Sequence, residues 1–130
     1  MSLIITSAGK TQALSYLVGK DTTVQSLTLK LYGNNITPSS SDTPTTYTEV
    51  TGGGYSSISL SAASWSVDSS SATYPQQSWS FTGSVGNVYG YYVTTSDNTA
   101  VIFAEKFDDG PYNVTNSGDI IRVTLNILIA

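Results

Sequence analysis

The chain has no cysteine and no histidine among its 130 residues. Without cysteine there is no disulfide and no thiolate, in any compartment. Without histidine the usual general base at neutral pH and the commonest metal ligand are missing. A Ser–His–Asp triad cannot be built, and no Ser–Lys pair stands at a recognisable spacing. Charge is scarce too, at 11% of residues with a net charge of −4. The five basic residues, Lys10, Lys20, Lys30, Lys106 and Arg122, are scattered along the chain. Counterion release from a phosphate backbone needs several positive charges on one face, so nucleic acid is not expected as a partner. No run approaches the roughly 18 apolar residues of a membrane span, and no membrane partner is expected. The opening MSLIITSAGK lacks a charged leader with an apolar run behind it, so no signal peptide is expected. The sequons at Asn35 and Asn113 therefore read as turn residues.

Serine and threonine fill 39 of the 130 positions, and nine Tyr, three Phe and two Trp stand among them. A disordered chain of low charge is poor in aromatics, so this one is expected to fold. Thr and Tyr favour strands, while Ser, Gly and Asn favour turns. The length suits one domain that buries roughly two-thirds of its unfolded surface.

Alternation of apolar residues marks the strands. Val24 to Tyr32 reads as a half-buried strand with Leu27, Leu29 and Leu31 on one face, closed by the turn residues of Gly33–Asn35. A polar loop follows to Pro44, then a short edge strand over Thr46–Val50. Gly52, Gly53 and Gly54 mark a tight bend or a segment ordered only against a partner. Ser57 to Trp65 places Ile58, Leu60 and Ala62 together, and the segment from Ser66 to Gln76 reads as loop. Gln77 to Gly83 turns Trp79 and Phe81 inward. Asn87 to Thr95 is apolar on both faces, with Val88 and Tyr92 on one and Tyr89, Tyr91 and Val93 on the other, so both are expected to be covered. Gly90 in its middle fits a bulge or a close backbone approach. Ala100 to Phe107 and Ile120 to Ile129 follow, the second with Ile121, Val123, Leu125, Ile127 and Ile129 inward. About seven strands at this spacing predict an all-β fold, a single antiparallel β-sandwich of jelly-roll kind with a short N-terminal helix or arm.

Residues 1–20 are separated from the sandwich domain at 21–130. Thr11 could cap a short helix with Ala13, Leu14, Leu17 and Val18 in one stripe. Before it, Leu3, Ile4 and Ile5 form an apolar tag. The tag either adds a strand to the core or docks on another subunit.

Two segments invite a chemical reading. Ser7–Thr11, SAGKT, resembles the end of a phosphate loop, but Ile5 stands where the loop requires glycine. It reads as the polar start of a helix. Glu105–Gly110, EKFDDG, is the densest acidic cluster, yet it lacks the alternating carboxylates of a calcium loop. It reads as a turn, with Asp tolerating bends, Gly permitting positive φ and Pro111 fixing the next one. Glu105 falls on the face of Phe103 and Phe107 and is expected to reach water near the strand end or to pair with Arg122. No catalytic, cofactor-binding or metal-binding residue is assigned, and the chain is not read as an enzyme. Trp65, Trp79 and Phe81 are assigned to the core. Leu3, Ile4, Ile5, Tyr89 and Tyr91 are the residues assigned to partner contact.

The order of segments has a resemblance. LTLKLYGNNITPSSSDTPTTYTEVTGGGYSSISL is followed by YPQQSWSFTGSVGNVYGYYVTT and AVIFAEKFDDGPYNVTNSGDIIRVTLNILI. Over roughly residues 11–129 this resembles a group of small structural proteins of tailed bacteriophages. Their pattern joins an LKLYxNNxTP strand and loop, a GY after an acidic stretch, VYGYYV, AExFxDGPY and a final GDxIxVT strand. The glycine-rich EVTGGGYSS departs from it. These motifs are turns and strands, so they bear on fold more than on activity. The resemblance implies a virion component made in the host cytoplasm: a capsid decoration or cement protein on the outer capsid surface, partnered by the major capsid protein. A homo-oligomer, dimer or trimer, would suit a symmetry axis of the capsid. The alternative is a tail or fibre component that recognises a host surface glycan or protein. A non-viral lectin-like sandwich is a third reading.

Overall fold

A computed structural model describes residues 3–23 and 26–128. The fold is all-β with one short N-terminal helix, sandwich-like and not a barrel. The first layer is a five-stranded antiparallel sheet built from β1 (Ile4–Ile5), β2 (Leu27–Tyr32), β3 (Ile58–Leu60), β8 (Gly90–Thr95) and β9 (Val101–Lys106), in the order β1-β9-β8-β2-β3. Against its inner face lie three short antiparallel ladders. One joins β6 (Gln77–Ser80) to β11 (Ile120–Val123), and another joins β7 (Gly86–Val88) to β10 (Tyr112–Val114). The third orders β12 (Asn126–Leu128), β5 (Ser71–Thr73) and β4 (Ser66–Val67), with β5 in the middle. Leu29, Leu31, Tyr91, Val93 and Phe103 from the first layer meet Trp79, Phe81, Val88, Val114, Ile121 and Val123 from the second in one core.

The outer face of the large sheet carries a smaller core. Tyr32, Tyr92, Val101 and Ala104 pack there with Tyr47 from the long loop after β2. Tyr47 stacks on Tyr92 at 4.5 Å and 10°, and its hydroxyl donates to Asp42 at 2.7 Å. That ring pins the polar loop over the sheet. The sheet centre is therefore covered on both sides, as the pattern of Asn87 to Thr95 requires, and all six residues of β8 are buried. For the same reason β2 is not half-buried: Leu29 through Tyr32 are all buried. Val24, where that strand was expected to begin, lies outside the described residues, as does Ile129.

Several expected elements are broken differently. Thr46–Val50 is not a strand; a 3-10 turn at Pro44–Thr46 precedes a single bridge between Glu49 and Tyr32. Gly52, Gly53 and Gly54 all take positive φ and form a bend ordered within the chain, with Thr82 N–H donating to the Gly53 carbonyl at 2.8 Å. Ser66 to Gln76 holds the β4–β5 pair rather than a loop. The strand expected over Asn87–Thr95 is β7 and β8 in two different sheets, so Val88 faces the main core while Tyr92 faces the other. Gly90 makes the expected close approach: a Cβ there would sit 2.6 Å from Tyr32 Oη. The run Ile120–Ile129 also divides. At Thr124–Leu125 the chain leaves β6 and begins pairing with β5, with Leu125 fully buried at the crossover.

The N-terminus joins the same structure. β1 pairs antiparallel with β9, Ile4 opposite Ala104 and Ile5 opposite Phe103, so the tag adds a strand to the sheet edge. The helix α1 (Ser7–Leu17) follows at once. Its N-cap is Thr6 and not Thr11, because the Thr6 hydroxyl accepts the Gly9 N–H at 3.0 Å and so satisfies one free donor of the first turn. The expected stripe does not face inward either. Gly9 is the buried residue of the helix, while Leu14, Leu17 and Val18 are 61%, 80% and 73% exposed.

The seat of the helix is a bulge in β9. Val93 pairs with Phe103 and Thr94 with Val101, so Ile102 is the extra residue. Its carbonyl accepts the Thr6 N–H at 3.0 Å and meets Gly9 where any larger residue would place a Cβ.

Candidate functional site

With Gly9 pressed on Ile102, the helix stands beside the β12-β5-β4 ladder and leaves a groove of about 460 Å³ between them. Ile5, Ile102 and Phe103 contribute from the large sheet, and Ala13 and Tyr16 from α1. The other wall follows from register. Val67 is paired with Ala72, and Ala72 with Ile127, so the three side chains form one row across the ladder and all line the groove. Leu27, Ala62 and Trp65 complete it. No lining residue carries a charge. The two polar side chains with long reach are already engaged: Gln12 Nε2 donates to Asp21 at 2.8 Å, and Tyr16 Oη donates to the Thr23 carbonyl at 2.7 Å. The Gln12 bond is the main cause that holds the Asp21 carboxyl below its usual range.

Exposed apolar side chains flank the groove. Val67 is 81% and Leu17 80% exposed. Isolated surface apolar residues need no explanation, but a concave apolar surface continuous with them marks a site of interaction. The groove's size lies in the range of about 300–1,000 Å³ typical of binding pockets.

The residues assigned to partner contact divide. Ile5 lines the groove. Leu3 is half-buried against the main core, and Ile4 is half-buried on the edge strand. Tyr89 is half-buried beside the outer tyrosine cluster, with Lys106 Nζ 6.0 Å from its ring centroid. Tyr91 is only 3% exposed and belongs to the main core, so it offers no surface to a partner. Its hydroxyl donates to Glu105 Oε1 at 2.7 Å. Burial, and then that bond, push the Tyr91 hydroxyl far above its usual pKa. Glu105 is therefore satisfied by Tyr91 rather than Arg122, and it stays half-buried near the end of β9.

The acidic cluster forms a turn between β9 and β10, with Asp108 and Asp109 exposed. The Tyr112 hydroxyl donates to Asp109, and this bond is the main cause that pushes Tyr112 up to about 12. Among the described residues no group of three or more acidic, His or Cys side chains converges as a metal site would require. Ser7–Thr11 lies within the helix. Trp79 and Phe81 are core residues as assigned, and Trp79 Nε1 donates to the Ser56 carbonyl at 2.8 Å. Trp65 is only half-buried and lines the groove. An open cleft of about 530 Å³ lies beside Tyr112, Asn113, Asp119 and Arg122.

Sequence reasoning missed the β4–β5–β12 wall of the groove. Val67 and Ala72 are single apolar residues in a serine-rich stretch, and only strand register makes them neighbours of Ile127. No protein-family model matches the chain, no curated protein matches it, and no solved structure matches it.

Proposed function

We propose that this chain is a structural protein of a virion, a decoration or cement protein that binds the outer capsid surface and joins neighbouring subunits. Two things support the reading. The segment order resembles that of small phage structural proteins, and the apolar groove beside α1 is a surface suited to burial on another protein. The groove carries the proposal, because an uncharged concave surface with its polar side chains already engaged gains by excluding water. The partners in this reading are the major capsid protein and further copies of the chain. Weak individual contacts suffice, since many copies on one lattice act together.

The test is reconstitution. Purified protein is added to capsids that lack it, and bound protein and capsid melting are measured. Saturable binding that raises capsid melting is expected. Failure to bind the capsid under any salt condition refutes the role. The open cleft beside Tyr112 and Arg122 favours a second reading, a tail or fibre component that recognises a surface glycan. Binding to host cells that free sugar competes away would favour it over the first.

A further inference from the structure

We infer that the outer face of the β6–β11 and β7–β10 ladders, with the cleft that notches it, binds a neutral saccharide. The inference rests on the second reading above, recognition of a surface glycan, and names the class of sugar and the residues that meet it. Strand register makes the two ladders one surface. From Tyr112 opposite Val88 to Val123 opposite Gln77, the residue numbers of every pair keep one constant sum. Two bonds carry the pairing towards the gap: Phe81 N–H donates to the Asp119 carbonyl at 2.8 Å, and Val85 N–H to the Val114 carbonyl at 3.1 Å. Segments 77–88 and 112–123 are therefore one antiparallel ribbon. Its interruption at 115–118 lies between the two sets of residues that line the cleft of about 530 Å³.

Alternation turns Trp79, Val88, Val114 and Ile121 to the core and their neighbours to solvent. Three exposed cross-strand pairs result: Ser78 with Arg122, Ser80 with Ile120, and Asn87 with Asn113. Five of these six side chains are polar, and none of the five makes a hydrogen bond or ion pair with another described residue. Elsewhere such groups are engaged: Asn34 with Thr46 and Thr48, Asn98 with Lys30, and Gln77 with Pro75. Sugar hydroxyls donate and accept, and so do the two amides and the two serines, while Arg122 donates. Ile120, 46% exposed, and the Tyr112 ring, 4.6 Å from that of Phe107, line the cleft and suit the C–H face of a sugar ring. Charge decides between neutral and acidic sugars. Arg122 is the single cation of the cleft, whereas Asp119 lines it and Asp109 holds the Tyr112 hydroxyl at its edge. Asp119 Oδ2 accepts the Thr115 and Asn116 N–H groups at 3.1 Å, which leaves Oδ1 to accept a sugar hydroxyl. A carboxylated sugar would meet more negative than positive charge there, and like charges across a contact are unfavourable.

The test is saturation-transfer NMR on the full chain. The probes are oligosaccharides of glucose, galactose or mannose and their uronic-acid counterparts at ~10 mM, where a Kd of ~1 mM already fills most of the site. Transfer to at least one neutral sugar is expected, and none to the acidic ones. Arg122→Ala and Asn113→Ala should each weaken binding by about 10-fold, since each removes bonds made to the sugar. Both should leave the melting temperature unchanged, because both side chains are exposed. Val67→Ala, in the groove beside α1, should leave binding unchanged. No transfer to any sugar overturns the inference and the glycan reading with it. Preference for acidic sugars, or binding indifferent to both Arg122→Ala and Asn113→Ala, overturns the inference while the glycan reading stands. Capsid binding is measured separately, so the decoration role stands or falls on its own.

Discussion

Replacing Gly9 by alanine sets two opposed effects against each other. Alanine is the best helix former and glycine among the worst, so the substitution alone should stabilise α1 by about 1 kcal/mol. Against this stands the contact with β9. A Cβ at Gly9 overlaps the Ile102 carbonyl oxygen and lies 3.1 Å from both the Ile102 carbonyl carbon and Ile5 Cγ2. The carbonyl belongs to backbone held by the sheet and by Thr6 N–H at 3.0 Å, so it cannot swing aside as a side chain would. The helix must lift, which strains packing by about 1–3 kcal/mol and weakens the Thr6 bonds by about another 1 kcal/mol. The net loss is about 1–3 kcal/mol, a fall in melting temperature of ~4–11 °C for a chain of this size. Thermal unfolding followed by circular dichroism reads this directly. Ala8→Gly, at an exposed position of the same helix, is the control and should show only the propensity loss. Should Gly9→Ala melt at or above the parent temperature, the seat on Ile102 does not hold the helix in place, and the groove loses its wall.

Other outcomes follow from the tyrosines and the acidic turn. Burial raises the hydroxyl pKa of Tyr32, Tyr47, Tyr55, Tyr91 and Tyr92 in the folded chain. Their stabilisation is complete below the unfolded value of about 10 and is lost as pH rises beyond it. Melting temperature should hold steady to about pH 9 and fall steeply above about pH 10; a flat profile to pH 12, or tyrosinate absorbance appearing at ordinary pH without unfolding, would contradict this. Tyr91→Phe removes the donor to Glu105 and should cost about 1 kcal/mol, read by urea denaturation, since water can partly replace it at the half-buried carboxylate. EDTA should leave the melting temperature unchanged, as a turn held by Tyr112 and Asp109 needs no cation; a drop reversed by calcium would refute the turn reading.

The strand class of the fold was legible because period-two alternation survives wherever one face is buried, as at Trp79 and Phe81. It failed where the chain changes sheets. Asn87–Thr95 and Ile120–Ile129 alternate without a visible break, yet Tyr89 and Thr124–Leu125 are crossovers, and nothing in local pattern marks a change of pairing partner. The helix misled for another reason. Its apolar residues predicted an inward stripe, but the bulge at Ile102 selected glycine for the contact and turned the leucines outward. Of the candidate site, Ile5 was legible as part of an apolar tag. Val67, Ala72 and Ile127 were not, because their proximity exists only through cross-strand register.

The central claim is a structural role in the virion, and copy number in purified particles tests it most directly. Quantitative mass spectrometry against the major capsid protein should find this chain in simple ratio to it, as a lattice-wide decoration requires. A far smaller number would place the chain in the tail or its fibres, and its absence from particles would contradict the account.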